Sequence, residues 1–360
     1  MPVTSLRAVS RVTSLAPVAQ APRWLGLALP ATLIALLAVS LTTGPAQLDW
    51  HALATGLTAA PESPAGVILW NLRLPRIVAA VACGAAIGLA GLLMQTLFRN
   101  PLADPWALGV TAGAQLGVAM AAAGSAVVGV DLLAHLGVMS QLGVIGGAAA
   151  GCAAVMAVLA LVSRRVTPVT LLVLGLMIGY LSQGLVSLIL HFTTRTQGRV
   201  FDAWNDGTFA NVTWTHLRVL GPVIAAGAIG ALWLRKPLDA LLLGDNYAAS
   251  LGLPVSRMRR AALAATLLLA APVTAYCGPI AFLGLIAPHL TRALTRAASH
   301  RVTVPLVALV GACLAVAADL VVNLPWERHF LHLNAVNGLV GAPLVIWLLL
   351  RHRALRQLEG

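Results

Sequence analysis

Residues Ile77 to Leu97 read IVAAVACGAAIGLAGLLMQTL, a run without a single charged side chain. A bilayer core needs about 20 apolar residues of helix to cross it, so this stretch is long enough to span one. Within such a segment only a helix satisfies its own backbone groups. The glycines and alanines along the run suit close approach of helices in lipid.

Working outward, further apolar segments fall at 25–43, 106–124, 141–163, 168–192, 216–234, 261–276, 279–296, 303–323 and 334–350. The sequence therefore predicts an all-α polytopic membrane protein of about ten transmembrane helices. Composition agrees: 59% of residues are hydrophobic and 9% charged, against about 25% charged in a soluble domain. So few charges cannot cover a water-soluble body of this length. The chain divides into a polar tail at 1–24, a transmembrane domain at 25–352 and a short tail at 353–360. The apolar run from Leu25 follows Arg7, Arg11 and Arg23, as in a signal peptide. Its length, and the many spans after it, predict an uncleaved first helix instead.

The net charge of +12 excludes little by its size and much by its distribution. Basic residues sit singly or in short groups between apolar runs, as the positive-inside rule arranges them. With the N-terminus in the cytoplasm, ten helices return the C-terminus there, and 17 of the 23 Lys and Arg residues fall inside. Arg73, Arg76, Arg195, Arg199, Arg218 and Arg328 stay outside. No basic stripe of the nucleic-acid kind forms. Tryptophans prefer the headgroup level, and Trp24, Trp50, Trp70, Trp106, Trp204, Trp214, Trp233 and Trp326 lie at or just beyond segment ends. Cys83, Cys152, Cys277 and Cys313 show neither close pairing nor metal-ligand spacing and read as packing residues.

The longest interior connection, 235–260, carries a short soluble helix over Asn246 to Leu251. Asp245 lies where a helix N-terminus favours an acid, Gly252 supplies the stop, and Pro254 follows. Membrane insertion does not require a separately terminated helix there; a docking surface for a partner does.

No nucleotide-binding, metalloprotease or nucleophile-elbow motif occurs, so no catalytic residue and no metal site are predicted. Asp319 is the one acid inside a predicted span, near its outer end, and no chain of acids or lysines crosses the bilayer as a proton relay would. Arg73-Leu74-Pro75-Arg76 precedes the second span on the outside. Two arginine forks there would clamp carboxylates of an external partner or snorkel to headgroups. Asn100, Pro101, Asp104 and Pro105 read as a rigid turn, and Pro288 and His289 belong to a second bend at 278–289, with His289 a hydrogen-bonded packing residue. Glu327, Arg328, His329 and His332 cluster at the outer mouth.

These stretches together resemble the FecCD family of ABC-importer permeases, which includes ferric-siderophore, haem and vitamin B12 permeases. The likeness runs from Trp70 to Arg351. It rests on Arg73-Leu-Pro-Arg76, the glycines from Gly84 to Gly91 with Gln95, Asn100-Pro-Leu-Ala-Asp-Pro105, and Leu243-Gly-Asp245-x-x-Ala248-x-x-Leu251-Gly252. It continues with Gly278-x-Ile280-x-Phe282-x-Gly-Leu-Ile286-x-Pro-His289, Ala318-Asp319 and Gly341-Ala-Pro343.

The resemblance implies a type II ABC-importer permease fold in the inner membrane, both termini cytoplasmic. It also implies a dimer with a second copy or a closely related permease. Two cytoplasmic ATPase copies carry the ATP and Mg, and this chain binds no cofactor. Gly244, Asp245, Ala248, Leu251 and Gly252, within the cytoplasmic segment 237–258, match the family's ATPase-coupling helix. Arg73 and Arg76 match arginines that dock a periplasmic substrate-binding protein. Two departures stand at the outer mouth. Asn323 replaces an arginine four residues after Asp319, so that a third docking charge is either lost or moved to Arg328, and Phe330-Leu-His332-Leu-Asn334 replaces Glu-x-Pro-x-Gly. A ferric siderophore is the first expectation for the cargo, with haem or cobalamin next.

Overall fold

The computed structural model describes residues 22, 24–44, 54, 56, 63–106, 108–127, 138–163, 165–324 and 331–357. Twelve helices and no strand occur among them: α1 (Leu25–Thr42), α2 (Pro64–Leu97), α3 (Val110–Val127), α4 (Val138–Val162), α5 (Pro168–His191) and α6 (Arg195–Asn205), then α7 (Trp214–Leu242), α8 (Asp245–Ser250), α9 (Val255–Cys277), α10 (Leu283–Thr295), α11 (His300–Val322) and α12 (Leu333–Gln357). Each of the ten expected spans has its helix. Seven of them are long and apolar enough to cross a membrane, α3 and α12 carry shorter apolar stretches, and α10 is a helix of 13 residues.

Helix α2 is the hub, packing against α7, α9, α10 and α11. Small residues make this possible. A Cβ added at Gly84 would collide with the backbone of Gly311, and one at Gly91 with that of Gly284. Gly113 and Gly117 of α3 meet Gly151 and Gly147 of α4 in the same way. In lipid no hydrophobic force draws helices together, so close backbone approach and dispersion must do it. The outward faces of α5 and α12 remain apolar and exposed, with Val169, Met177, Leu181, Leu339 and Ile346 among them.

Two boundaries differ from the sequence expectation for a local reason. The third span begins at Val110, just after Gly109, whose φ of +72° lets it pass close to Gly175 of α5. The eighth begins at Leu283, after Gly278 at φ +74° and Phe282 at φ +65° have broken the chain. Helix α6 was not expected at all. It is short and amphipathic, starts on a Thr194–Gln197 capping box, and buries Gln197 and Phe201.

Candidate functional site: two ends of the bundle

At one end, α8 hangs on the connection between α7 and α9. Gly244 at φ +114° turns the chain out of α7, and Gly252 at φ +78° ends α8 as anticipated. The helix starts at Asp245, one residue before the expected start. Ala248 is fully buried in a satellite cluster with Ala240 and Leu241, against which Leu253, Val255 and Met258 pack. Leu243, Tyr247 and Leu251 face outward, 67%, 49% and 58% exposed. A helix of under two turns cannot stand alone in water, so these contacts hold it.

Charge holds it too. The Asp245 carboxylate accepts from Arg259 Nη2 at 2.8 Å, while Arg99 Nη2 lies 3.9 Å from its other oxygen. Arg259 is itself buried, and its Nη1 donates to the carbonyls of Ser163 at 2.9 Å and Val166 at 3.2 Å. The sequence counts Arg99 and Arg259 among inside charges and gives neither a role. Arg259 falls in phase with Ala262, Leu263 and Thr266, the buried face of α9. That 3.6-residue phase distinguishes it from Arg257 and Arg260.

A polar layer crosses this end. His300 Nδ1 meets Asp239 at 2.7 Å and His300 Nε2 meets Thr96 at 2.7 Å, joining α11, α7 and α2. Arg292 of α10 donates to Gln95 of α2. His289 Nδ1 lies 2.8 Å from the Leu285 carbonyl, one turn back in α10, where Pro288 is also buried. In the turn after α2, Asn100 Oδ1 accepts from Leu102 N at 2.9 Å, Pro101 is exposed, Asp104 is half-buried and Pro105 is buried beside Gly284.

The opposite end holds the second group of anticipated residues. Arg73 and Arg76 are buried within the chain, 4% and 6% exposed. Arg73 donates to the Leu41 carbonyl of α1. Arg76 Nη1 donates to Asn323 Oδ1 at 2.8 Å, and its Nε lies 3.2 Å from Asp319 Oδ2. That last approach is an ion contact without hydrogen-bond alignment, since neither atom has an aligned partner. Asn323 also donates to Asp319 Oδ1 at 3.1 Å. Asn323, half-buried, is therefore the third member of this cluster. The physical reason is span depth: α2 winds as a π-helix over Ile68–Arg73 and continues without a break, so the arginines stand inside the bundle. Arg328, Glu327 and His329 lie outside the described residues.

Alongside, Asn334 ties α12 to the break before α10. Its amide donates to Pro279 O at 2.8 Å and its carbonyl accepts from Ala281 N at 3.0 Å. Gln115 of α3 donates to Asn205 of α6 at 2.7 Å, and His332 pairs with Asp206 at 3.2 Å. The Sγ atoms of Cys83 and Cys277 lie 3.5 Å apart, a proximity that their separation in sequence hides.

This arrangement offers a rigid core with a projecting apolar-tipped helix at one end and buried ion and amide clusters at the other. The profile of the FecCD transport family matches residues 32–351. The vitamin B12 import system permease protein BtuC of Shigella boydii serotype 18 is 33% identical over 92% of this chain and 96% of its own length. The protein of that name from Salmonella paratyphi A is 34% identical over 91% and 95%. A solved structure described as an inward-facing conformation of a metal-chelate type ABC transporter superimposes with a TM-score of 0.79 at 26% identity. It covers 92% of this chain and 99% of that one. With its motifs, its helices and its relatives in agreement over nearly the whole length, this chain belongs to the FecCD transport family.

Proposed function

We propose that this multi-pass membrane permease moves a bulky metal chelate inward by alternating access, driven by ATP hydrolysed on a separate subunit. The carrying observation is α8, a separately terminated helix whose Leu243, Tyr247 and Leu251 project beside the buried Ala248. Such a tip is a lever for a partner and has no use in insertion. Its partner is a cytoplasmic ABC ATPase in two copies, which holds the ATP and Mg; this chain is a transport subunit, not an enzyme. A second permease copy completes the path, and a periplasmic substrate-binding protein delivers the cargo from the far side. This places α8, with both termini, on the cytoplasmic face of the inner membrane.

ATP binding would draw the two ATPases together and pull on α8. The helix pairs joined through small residues would then shift as bodies, because packed interfaces switch between discrete arrangements and do not deform continuously. For the cargo, the named relatives favour vitamin B12 over the ferric siderophore that the motifs alone put first. An ion-coupled carrier has less support, because the Asp319 carboxylate is engaged by Arg76 and Asn323 and so is not free to relay protons.

The test is uptake in proteoliposomes containing the permease, its ATPase and its binding protein. Labelled cobalamin should enter only with ATP, and Leu251→Asp should abolish entry while the permease still inserts. Uptake that survives without the ATPase, or a cysteine at position 251 labelled from the periplasmic side, would overturn the reading. Entry of a ferric siderophore in place of cobalamin would reassign the cargo alone.

A further inference from the structure

We propose that Arg259 is the positioning residue that passes movement of α8 into the turn between α4 and α5. This rests on the reading of α8 as the coupling helix. One planar guanidinium holds three elements together. Nη2 bonds the Asp245 carboxylate at the first residue of α8, and Nη1 bonds the carbonyls of Ser163 and Val166 just past the end of α4. Its stem rises from α9, which packs on α2, α4 and α7. The Arg259 side chain is 9% exposed and that of Asp245 34%, so the guanidinium is held from within while the carboxylate end of the link stays partly in water.

The acceptors explain why an arginine stands here. The last carbonyls of a helix have no partner within it, and a cation near them is favoured by the helix dipole. Here a guanidinium bonds one carbonyl just past α4 and one just before α5 and still presents its other edge to a carboxylate; an ammonium is a point charge that cannot span the same geometry. Without Asp245, Arg259 would only cap α4. Without the carbonyls, it would only pair with α8. Holding both couples the lever to a helix pair that α8 itself does not touch closely. Ala248 and its satellite cluster tie α8 to α7 and α9, so the guanidinium is the strong polar link from α8 to α4 and α5.

The experiment measures cargo delivered per ATP hydrolysed by the assembled importer in proteoliposomes. Arg259→Lys keeps the charge facing Asp245 and loses the fork. It should leave ATPase binding and hydrolysis in place while lowering the cargo-to-ATP ratio about tenfold, within the range of ordinary coupling energies. Asp245→Ala, which removes the acceptor on α8 and keeps the bonds of Arg259 to Ser163 and Val166, should lower the ratio at least as far and covers the case in which Arg259→Lys folds poorly. Arg260→Gln, at a side chain whose Nε bonds back to Ser256 within α9, should leave the ratio unchanged. A merely structural Arg259 would reduce yield, hydrolysis and uptake together at a constant ratio, and that result would overturn the inference. An unmutated permease that neither binds the ATPase nor takes up cargo with ATP would instead sink the coupling reading beneath it.

Discussion

Two arginine–aspartate pairs sit at opposite ends of this bundle and behave as different objects. Arg76 and Asp319 are almost fully enclosed, their side chains 7% and 5% exposed, and join α2 to α11. Arg259 and Asp245 share a 2.8 Å contact, but the carboxylate is 34% exposed on a projecting helix. A buried pair is weak evidence of net stabilisation, yet removing one member strands a charge and costs about 3–5 kcal/mol. A pair with one foot in water contributes about 0–1 kcal/mol. The first pair is therefore a rivet between two spans, and the second is a joint whose value lies in what it connects.

That contrast can be broken by mutation, and the largest effect belongs to the rivet. Arg76→Ala should lower stability by about 3–5 kcal/mol, read as a lost yield of folded protein and a lower Tm in detergent. Replacing both members with apolar residues, Arg76→Met with Asp319→Leu, should recover most of that loss. If the single replacement is harmless, the pair is not a rivet. A packing defect on the same helix comes next. Gly91→Ala pushes a methyl into the Gly284 backbone and should cost about 1–3 kcal/mol, again seen as a fall in Tm. Asp245→Ala should cost about 1 kcal/mol or less while transport collapses. A thermal shift as large as that of Arg76→Ala would erase the distinction between joint and rivet. The smallest effect is predicted for Arg99→Gln, since Arg99 stands 3.9 Å from Asp245 and is 42% exposed. It should change stability by under about 1 kcal/mol, and raising ionic strength should shrink the difference further.

Much of α8 was legible in advance because local rules govern it: an acid at the start, a glycine at the stop, a proline beyond. The partners of Arg76 were beyond the same kind of local reasoning. An arginine before an apolar run looks like a flank of the membrane span, and nothing nearby in sequence announces that Asp319 and Asn323 wait some 240 residues later. Helix α6 leaves no mark among the apolar runs, because an amphipathic helix with Arg195, Arg199 and Asp202 does not form one. Arg259 lay between the two cases. Its phase with the buried face of α9 was readable, but its partners on α4 and α8 were not.

The order of apolar and polar segments determined by itself that this is a helical membrane protein with about ten spans, because the cost of an unpaired backbone group in lipid leaves few alternatives. The charges between the segments, and the glycine and proline stops, likewise set out a short helix on the α7–α9 connection. Only the tertiary structure decided which helices touch, and so which charges meet. Small-residue faces permit close approach without naming a partner, and the pairings Arg76–Asp319, Arg259–Ser163 and Cys83–Cys277 exist only once α2 has found its place at the centre.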